Sequence, residues 1–233
     1  IRRRAGRALT EAVRDQVGPD GAFSQHSPSY HRVALHVLLW VLAVARGRGA
    51  PPPVGVEDAV ARSADHLRSL IAPGSGGRAP TLGGADGALV LALAPRPHDD
   101  LRPVVSHAAS AAGQPSGLGR GPWDEEAAWF GLTPTSGPPR RGRPSIATHV
   151  LTRGTAHAVV RAGPLRHRPA HADQLHVDVW LDGENVARDP GSFRYTAPEP
   201  WGNALAGEEV HDLPRRPGEP QAVRSGRFFW RRW

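Results

Sequence analysis

The sequence predicts an α+β fold: an α/α array of helices followed by an antiparallel β-sandwich that is incomplete. Three observations predict it. Apolar residues recur at helical spacing through the first part of the chain, and the period shortens to alternation after a Pro/Gly/Arg-rich stretch at Thr133–Arg143. Gly 27 and Pro 24 among 233 residues supply turns and long loops rather than a tight bundle. Thr133–Arg143 is the expected boundary, giving a helical part over 1–143 and a strand-bearing part over 144–233.

Over residues 1–17, Ala5, Ala8, Leu9, Ala12, Val13 and Val17 share one helical face, and Gly18-Pro-Asp-Gly21 stops the helix. Ser27-Pro28 opens a second helix near Ser29 that runs to Gly47 and is apolar almost all round, which predicts burial among other helices. Its apolar stretch Val33–Ala45 is shorter than the ~20 residues a bilayer span needs and contains His36, so no transmembrane segment is expected. After the Pro-rich loop Arg48–Gly55, Val56–Ala72 forms a third helix with Val60, Ala64, Leu67, Leu70 and Ile71 along one face. A Gly-rich segment, Pro73–Gly87, precedes shorter helices around Asp99–Ala112 and Pro122–Leu132.

The strands follow as Ile146–Thr152, Ala156–Arg161, Leu175–Leu181 and Asn185–Asp189, separated by turns at Arg153-Gly154 and Asp182–Asn185. Within Leu175–Leu181 the apolar residues alternate with His176, Asp178 and Trp180, which predicts one face on a core and one on something polar. The run Gly226–Trp233 reads as a further strand cut midway. With Ile1 rather than Met at the start, the chain is expected to be a fragment whose sandwich lacks its last strands and leaves an edge.

Composition excludes some classes. Hydrophobic residues at 39% and charged residues at 22% are ordinary for a globular chain. Cys 0 removes disulfides, thiolate metal sites and cysteine nucleophiles, and leaves the compartment open. All 29 basic residues are Arg and the net charge is +7, a bias that GC-rich coding produces and that, where functional, favours an anionic partner. Arg interleaved with Trp123, Trp129, Trp180, Trp201, Trp230 and Trp233 could stack on bases or sugar rings. The spacing of an RNP, KH or zinc-finger module is missing, so no nucleic-acid partner is expected.

Two clusters hold chemistry-bearing residues. The loop Asp20–Arg32 delivers Gln25, His26, Tyr30 and His31 to the start of a buried helix. A tyrosine acts as acid and base when cations lower its pKa, and His31 and Arg32 are at hand; the other account is a helix cap at Ser27 or Ser29 with Tyr30 half-buried. In the second half, His167, His171, Asp173, His176, Asp189, His211 and Asp212 offer nitrogen and oxygen donors from neighbouring strands. Two His and a carboxylate suit Zn2+, while hydrogen-bonded or surface histidines are the other account.

These segments share a further property. Asp20-Gly with Ser27-Pro-Ser-Tyr-His-Arg32, then Leu82-Gly-Gly-Ala-Asp-Gly87, then Arg168-Pro-Ala-His-Ala-Asp-Gln-Leu-His-Val-Asp178 with Arg188-Asp-Pro-Gly-Ser-Phe-Arg-Tyr195, resembles the heparinase II/III-like family of polysaccharide lyases. The resemblance runs in order over nearly the whole chain, with His-Ala-Asp followed by Asp-Pro-Gly-x-x-x-Tyr its most specific part. It implies the C-terminal part of an (α/α) toroid followed by the β-sandwich, and β-elimination on an anionic, uronate-containing polysaccharide. It implies Tyr30 as acid and base, with His31 and His167 as further catalytic candidates and Gln25, Arg32 and Arg166 meeting the substrate. It also implies a structural zinc at His171, Asp189 and His211, and a cell-envelope or secreted location. Pro169 stands where the resemblance expects a catalytic histidine, with His167 two residues earlier, and no residue upstream of Tyr30 matches the family's carboxylate-gripping Asn. The alternative is therefore a catalytically inactive, carbohydrate-binding relative. Prolines in Asp212–Pro220 predict a loop or edge there. The oligomeric state and the particular polysaccharide are not written in these residues.

Overall fold

The computed structural model describes residues 2–140 and 142–233; Ile1 of the first expected helix and Arg141 of the expected linker lie outside them. The chain forms two compact units, and no single cut divides them. One gathers Ile1–Ser24, His31–Ser69 and Leu89–Ser145; the other gathers Gln25–Tyr30, Leu70–Ala88 and Ile146–Trp233. Two short segments from the first half of the chain thus group with the strands.

The helical unit takes its elements from α1 (Arg2–Gln16), α2 (Pro28–Gly47), α3 (Val56–Leu70), α4 (Arg102–Ala111) and α5 (Glu125–Trp129). On α3 the buried residues Val56, Val60, Ala64 and Leu67 form the expected stripe, and Glu57 and Asp58 sit in the first turn where the helix dipole favours them. α2 is long and apolar enough to cross a bilayer by length and composition. Its Leu35, Leu38, Leu39 and Leu42 are buried, each such side chain contributing ~1.5–3 kcal/mol on full burial, while Val37, Trp40 and Val44 are exposed, so the helix is buried along one face rather than all round as expected. Its buried His36 lies 3.3 Å from Glu126, which also meets His107 at 3.0 Å. Burial pushes the Glu126 carboxyl up, but the two histidines outweigh it and hold it below its ordinary value. The last expected helix, Pro122–Leu132, is shorter than predicted: a 3-10 turn at Pro122–Asp124 precedes α5, and Asp124 accepts from Ser106 and Arg120 at 2.6 and 2.8 Å.

The strand-bearing unit contains β1 (Thr148–Arg153), β2 (Ala156–Arg161), β3 (Val177–Leu181) and β4 (Glu184–Ala187), an antiparallel sheet in the order 1-2-3-4. β5 (Val223–Gly226) and β6 (Phe229–Arg231) form a separate hairpin. The turn between β3 and β4 is Asp182-Gly183, both with positive φ, the conformation that suits a tight hairpin. A Cβ on Gly183 would come 2.5 Å from the Gly74 carbonyl oxygen, so glycine is required there. The polar face of β3 differs from expectation: Asp178 and Trp180 are the buried residues, alongside His157, Val159 and Arg161 of β2. The burial is affordable because these groups bond to one another, as Asp178 accepts from Trp180 Nε1 at 2.5 Å and from Asn185 at 3.1 Å. Residues 211–220 form a loop with one isolated bridge, Arg216 to Glu219, as the prolines predict.

Candidate functional site

The strand-bearing unit holds two neighbourhoods of interest, and the first begins at the cap of α2. Ser27 Oγ accepts the Tyr30 N–H at 3.1 Å, while Pro28 fills the first helical position, where no N–H is needed. The same hydroxyl donates to the Gly84 carbonyl at 2.5 Å, tying the helix start to the loop Leu82–Gly87. The Tyr30 hydroxyl donates to Asp86 Oδ2 at 2.6 Å, and Asp86 Oδ1 accepts the Ala88 N–H at 3.1 Å. Gly84 lies against the aromatic ring: a Cβ there would stand 3.1 Å from Tyr30 Cε2 and 3.5 Å from Tyr195 Oη. Tyr195, the second of the chain's two tyrosines, stands close to the same Gly84 and packs edge-on against Phe228 at 5.3 Å between ring centres.

Burial pushes the Tyr30 hydroxyl up from its ordinary pKa, and the neighbouring Asp86 and then Tyr195 push it further. This is opposite to the lowering expected from cationic neighbours. His31 is buried, stacked on Phe23 at 5.9 Å and tilted against His66 at 5.6 Å. Burial, and then the neighbouring His66, pull its pKa well down, so it is a neutral imidazole rather than a cation. Arg32 is also buried, its guanidinium donating to the His98 carbonyl. Residues that follow one another on a helix point to different faces, so His31 and Arg32 pack against Phe23, His66 and His98 of the helical unit.

The second neighbourhood brings together His171, Asp189 and His211, the three residues expected to ligate metal, and adds Asp173. One donor atom from each of the four lies within 4.8 Å of the others, and all four side chains are buried. His211 Nδ1–H donates to the Gly207 carbonyl at 2.6 Å, which turns Nε2 toward Asp189 Oδ2, 3.3 Å away. His171 Nδ1, Asp173 Oδ1, Asp189 Oδ2 and His211 Nε2 are all buried without a hydrogen-bond partner. Four such atoms facing one another are costly unless something positive sits among them. Burial opposes a charge on His211, but Asp189 more than offsets it and raises the pKa, so a proton and a cation compete for the same place. Around the four, Arg161 donates to Asp173 Oδ2, Asp178 accepts the Asp189 N–H at 3.1 Å, and His176 Nδ1 accepts the Asp212 N–H at 3.0 Å.

The stretch Asp189–Tyr195 joins the two neighbourhoods. Thr81 Oγ1 donates to the Asp189 carbonyl at 2.6 Å, the Ala85 N–H donates to Ser192 Oγ at 3.2 Å, and Ser192 Oγ lies 3.4 Å from His171 Nε2. Gly191, at φ +68°, donates its N–H to the Asp189 carboxylate at 2.8 Å and turns the chain back. Gln25, Arg166 and His167 are exposed, and Pro169 is buried. Asp86 and Tyr195 were not among the expected site residues, and Asp173, one of the donors the sequence offered, was not in the ligand set the resemblance implied. The signal was present, since each lies inside a motif the resemblance had singled out, and a chain with only two tyrosines makes the second one conspicuous.

Residues 135–212 match the profile of the family described as Heparinase II/III-like, C-terminal. No curated protein matches the chain. Among solved structures, the chain is similar to a heparinase III gene product, with TM-score 0.62 and 18% identity over 88% of this chain and 31% of that one. It is similar to a mutant of the heparan sulfate lyase HepC from Pedobacter heparinus, with TM-score 0.61 and 17% identity over 88% of this chain and 31% of that one. A structure named Heparinase III gives TM-score 0.56 and 13% identity over 88% of this chain and 33% of that one. The chain therefore spans about a third of the length of these structures and shares their fold across that span.

Proposed function

We propose, from the premise that residues 135–212 belong to the heparinase II/III-like C-terminal family, that this protein is a polysaccharide lyase acting on a uronate-containing anionic polysaccharide by β-elimination. The observation that carries the reading is the Tyr30 hydroxyl held against Tyr195 and Asp86 at 2.6 Å from the carboxylate. In the elimination a base takes the proton from C5, the freed electron pair forms the C4=C5 bond, the C4–O4 bond breaks, and O4 takes up a proton. Tyr30 is the general acid and base of this scheme, with Tyr195 close beside it. The net charge of +7 draws in the anionic polymer. His171, Asp173, Asp189 and His211 would hold a divalent cation, Zn2+ in this reading, whose charge would pin the stretch that carries Tyr195.

The test is incubation with a panel of uronic-acid polysaccharides, following the ultraviolet absorbance of the unsaturated product. A rise that Tyr30→Phe abolishes is the expected result, and a flat trace on every uronate polymer sinks the reading. Purified protein should also contain zinc, and Asp189→Ala should release it; a metal content indifferent to that substitution removes the cation from the account. The second reading, a carbohydrate-binding relative without turnover, is favoured by the buried Pro169 at the position of an expected histidine. It predicts binding without cleavage by the parent and gain of turnover in Pro169→His.

A further inference from the structure

We infer that Asp86 is a positioning residue that keeps the proton on the Tyr30 hydroxyl and aims that O–H, so that Tyr30 enters the reaction as a donor and not as a phenolate. The inference rests on the proton chemistry proposed above for Tyr30. Both carboxylate oxygens of Asp86 are engaged, Oδ2 by the Tyr30 hydroxyl at 2.6 Å and Oδ1 by the Ala88 N–H at 3.1 Å. An ionised carboxylate only accepts hydrogen bonds, so the proton between the two oxygens belongs to Tyr30. The loop is held from behind by the Ser27 hydroxyl on the Gly84 carbonyl at 2.5 Å and by the Ala85 N–H on Ser192 at 3.2 Å. Gly84 then lets the backbone approach the Tyr30 ring closely enough to bring Asp86 alongside.

The titratable groups that face the Tyr30 hydroxyl are Asp86, from this loop, and Tyr195, from the stretch after Asp189. A phenolate beside a carboxylate at this distance is opposed by like charge. Burial raises the Tyr30 pKa most, Asp86 next and Tyr195 after it, in keeping with the geometry. During elimination Tyr30 gives its proton to O4 as the C4–O4 bond breaks, and its own oxygen takes up the C5 proton as the C4=C5 bond forms, so the O–H beside Asp86 is restored when the cycle closes.

Two tyrosines in the chain make this directly measurable. Protein made with fluorotyrosine should give two fluorine NMR resonances, assigned by Tyr30→Phe and Tyr195→Phe, with circular dichroism confirming the fold at each pH. In Asp86→Asn the amide oxygen still accepts the hydrogen bond but the charge is gone. The Tyr30 midpoint should fall by about one pH unit, about tenfold in proton affinity, and Asp86→Glu should restore it. A Tyr30 midpoint unmoved in Asp86→Asn overturns the inference. The two proposals fail separately: a fallen midpoint with no cleavage of any uronate polymer keeps Asp86 in this role and removes the lyase reading. Cleavage whose alkaline limb and Tyr30 midpoint both ignore Asp86→Asn does the reverse.

Discussion

The buried histidine pair of the helical unit should make the protein acid-sensitive in a way that can be calculated. His66 on α3 is buried with the His31 ring 5.6 Å away. Burial pulls its pKa from 6.5 down to about 4, with Asp20 acting in the opposite direction. A histidine whose folded pKa is depressed favours the neutral form in the fold. Its contribution is fully present above the unfolded pKa and is lost as pH falls below about 6.5, because the unfolded chain takes up a proton that the folded one refuses. At ~1.36 kcal/mol per pH unit, the fall from pH 6.5 to 5 costs roughly 2 kcal/mol from His66 alone, before most carboxylates titrate. His31, lowered by burial and then by His66, acts in the same direction. Urea unfolding followed by far-ultraviolet circular dichroism at pH 6.5 and 5, for the parent and His66→Gln, measures this. Lost ring contacts shift the variant's stability at both pH values equally, so the pH slope is the readout. The parent should lose about 2 kcal/mol more than the variant across the interval; equal slopes would refute the argument.

Two further substitutions probe the strand-bearing unit. Gly84→Ala places a Cβ 3.1 Å from the Tyr30 ring, so cleavage of uronate polymer should fall by about tenfold while urea stability changes by less than the ~1–3 kcal/mol of core overpacking, because the ring can yield toward solvent. Initial rates and unfolding midpoints on the same preparation check both halves. Arg161→Met removes the buried partner of Asp173 and leaves that carboxylate uncompensated, which should cost about 3–5 kcal/mol in chelator. A loss below about 1 kcal/mol in urea unfolding would show that Asp173 is already neutral or otherwise paired.

The elements most legible in the sequence were those whose period is strong. α3 follows its stripe of Val56, Val60, Ala64 and Leu67, and β2 has the bounds that alternation predicts, Ala156–Arg161. α4 starts at Arg102 rather than near Asp99, since Asp100 is engaged with Arg96 and Arg102 ahead of the helix. β5 escaped detection because Val223-Arg-Ser-Gly226 has no apolar alternation; its pairing with β6 is a tertiary choice. The inward-facing Asp178 inverted an expectation for a related reason. Pattern prices a carboxylate as a surface group, whereas this one is satisfied by Trp180, Asn185 and the Asp189 N–H. The convergence of His171, Asp189 and His211 was legible through resemblance alone, since loose spacing does not specify contact. That His31 and Arg32 turn away from Tyr30, while Asp86 and Tyr195 turn toward it, depends on helix phase and on a glycine-permitted approach that spacing does not encode.

The contacts that complete the tyrosine corner also set an order of assembly. Thr81 meets Asp189 and Ala85 meets Ser192 across separations of 108 and 107 residues. At ~5–20 residues per second of synthesis, the loop Leu82–Gly87 waits roughly 5–20 s after leaving the ribosome before its partners exist. Over that interval α2 already has its Ser27 cap, but the loop's polar groups are met by water and the tyrosine has no second hydroxyl. The surroundings of Tyr30 are therefore completed late in biosynthesis, and a chain released before Asp189 would carry the Ser27 cap and the loop without the contacts that hold the loop in place.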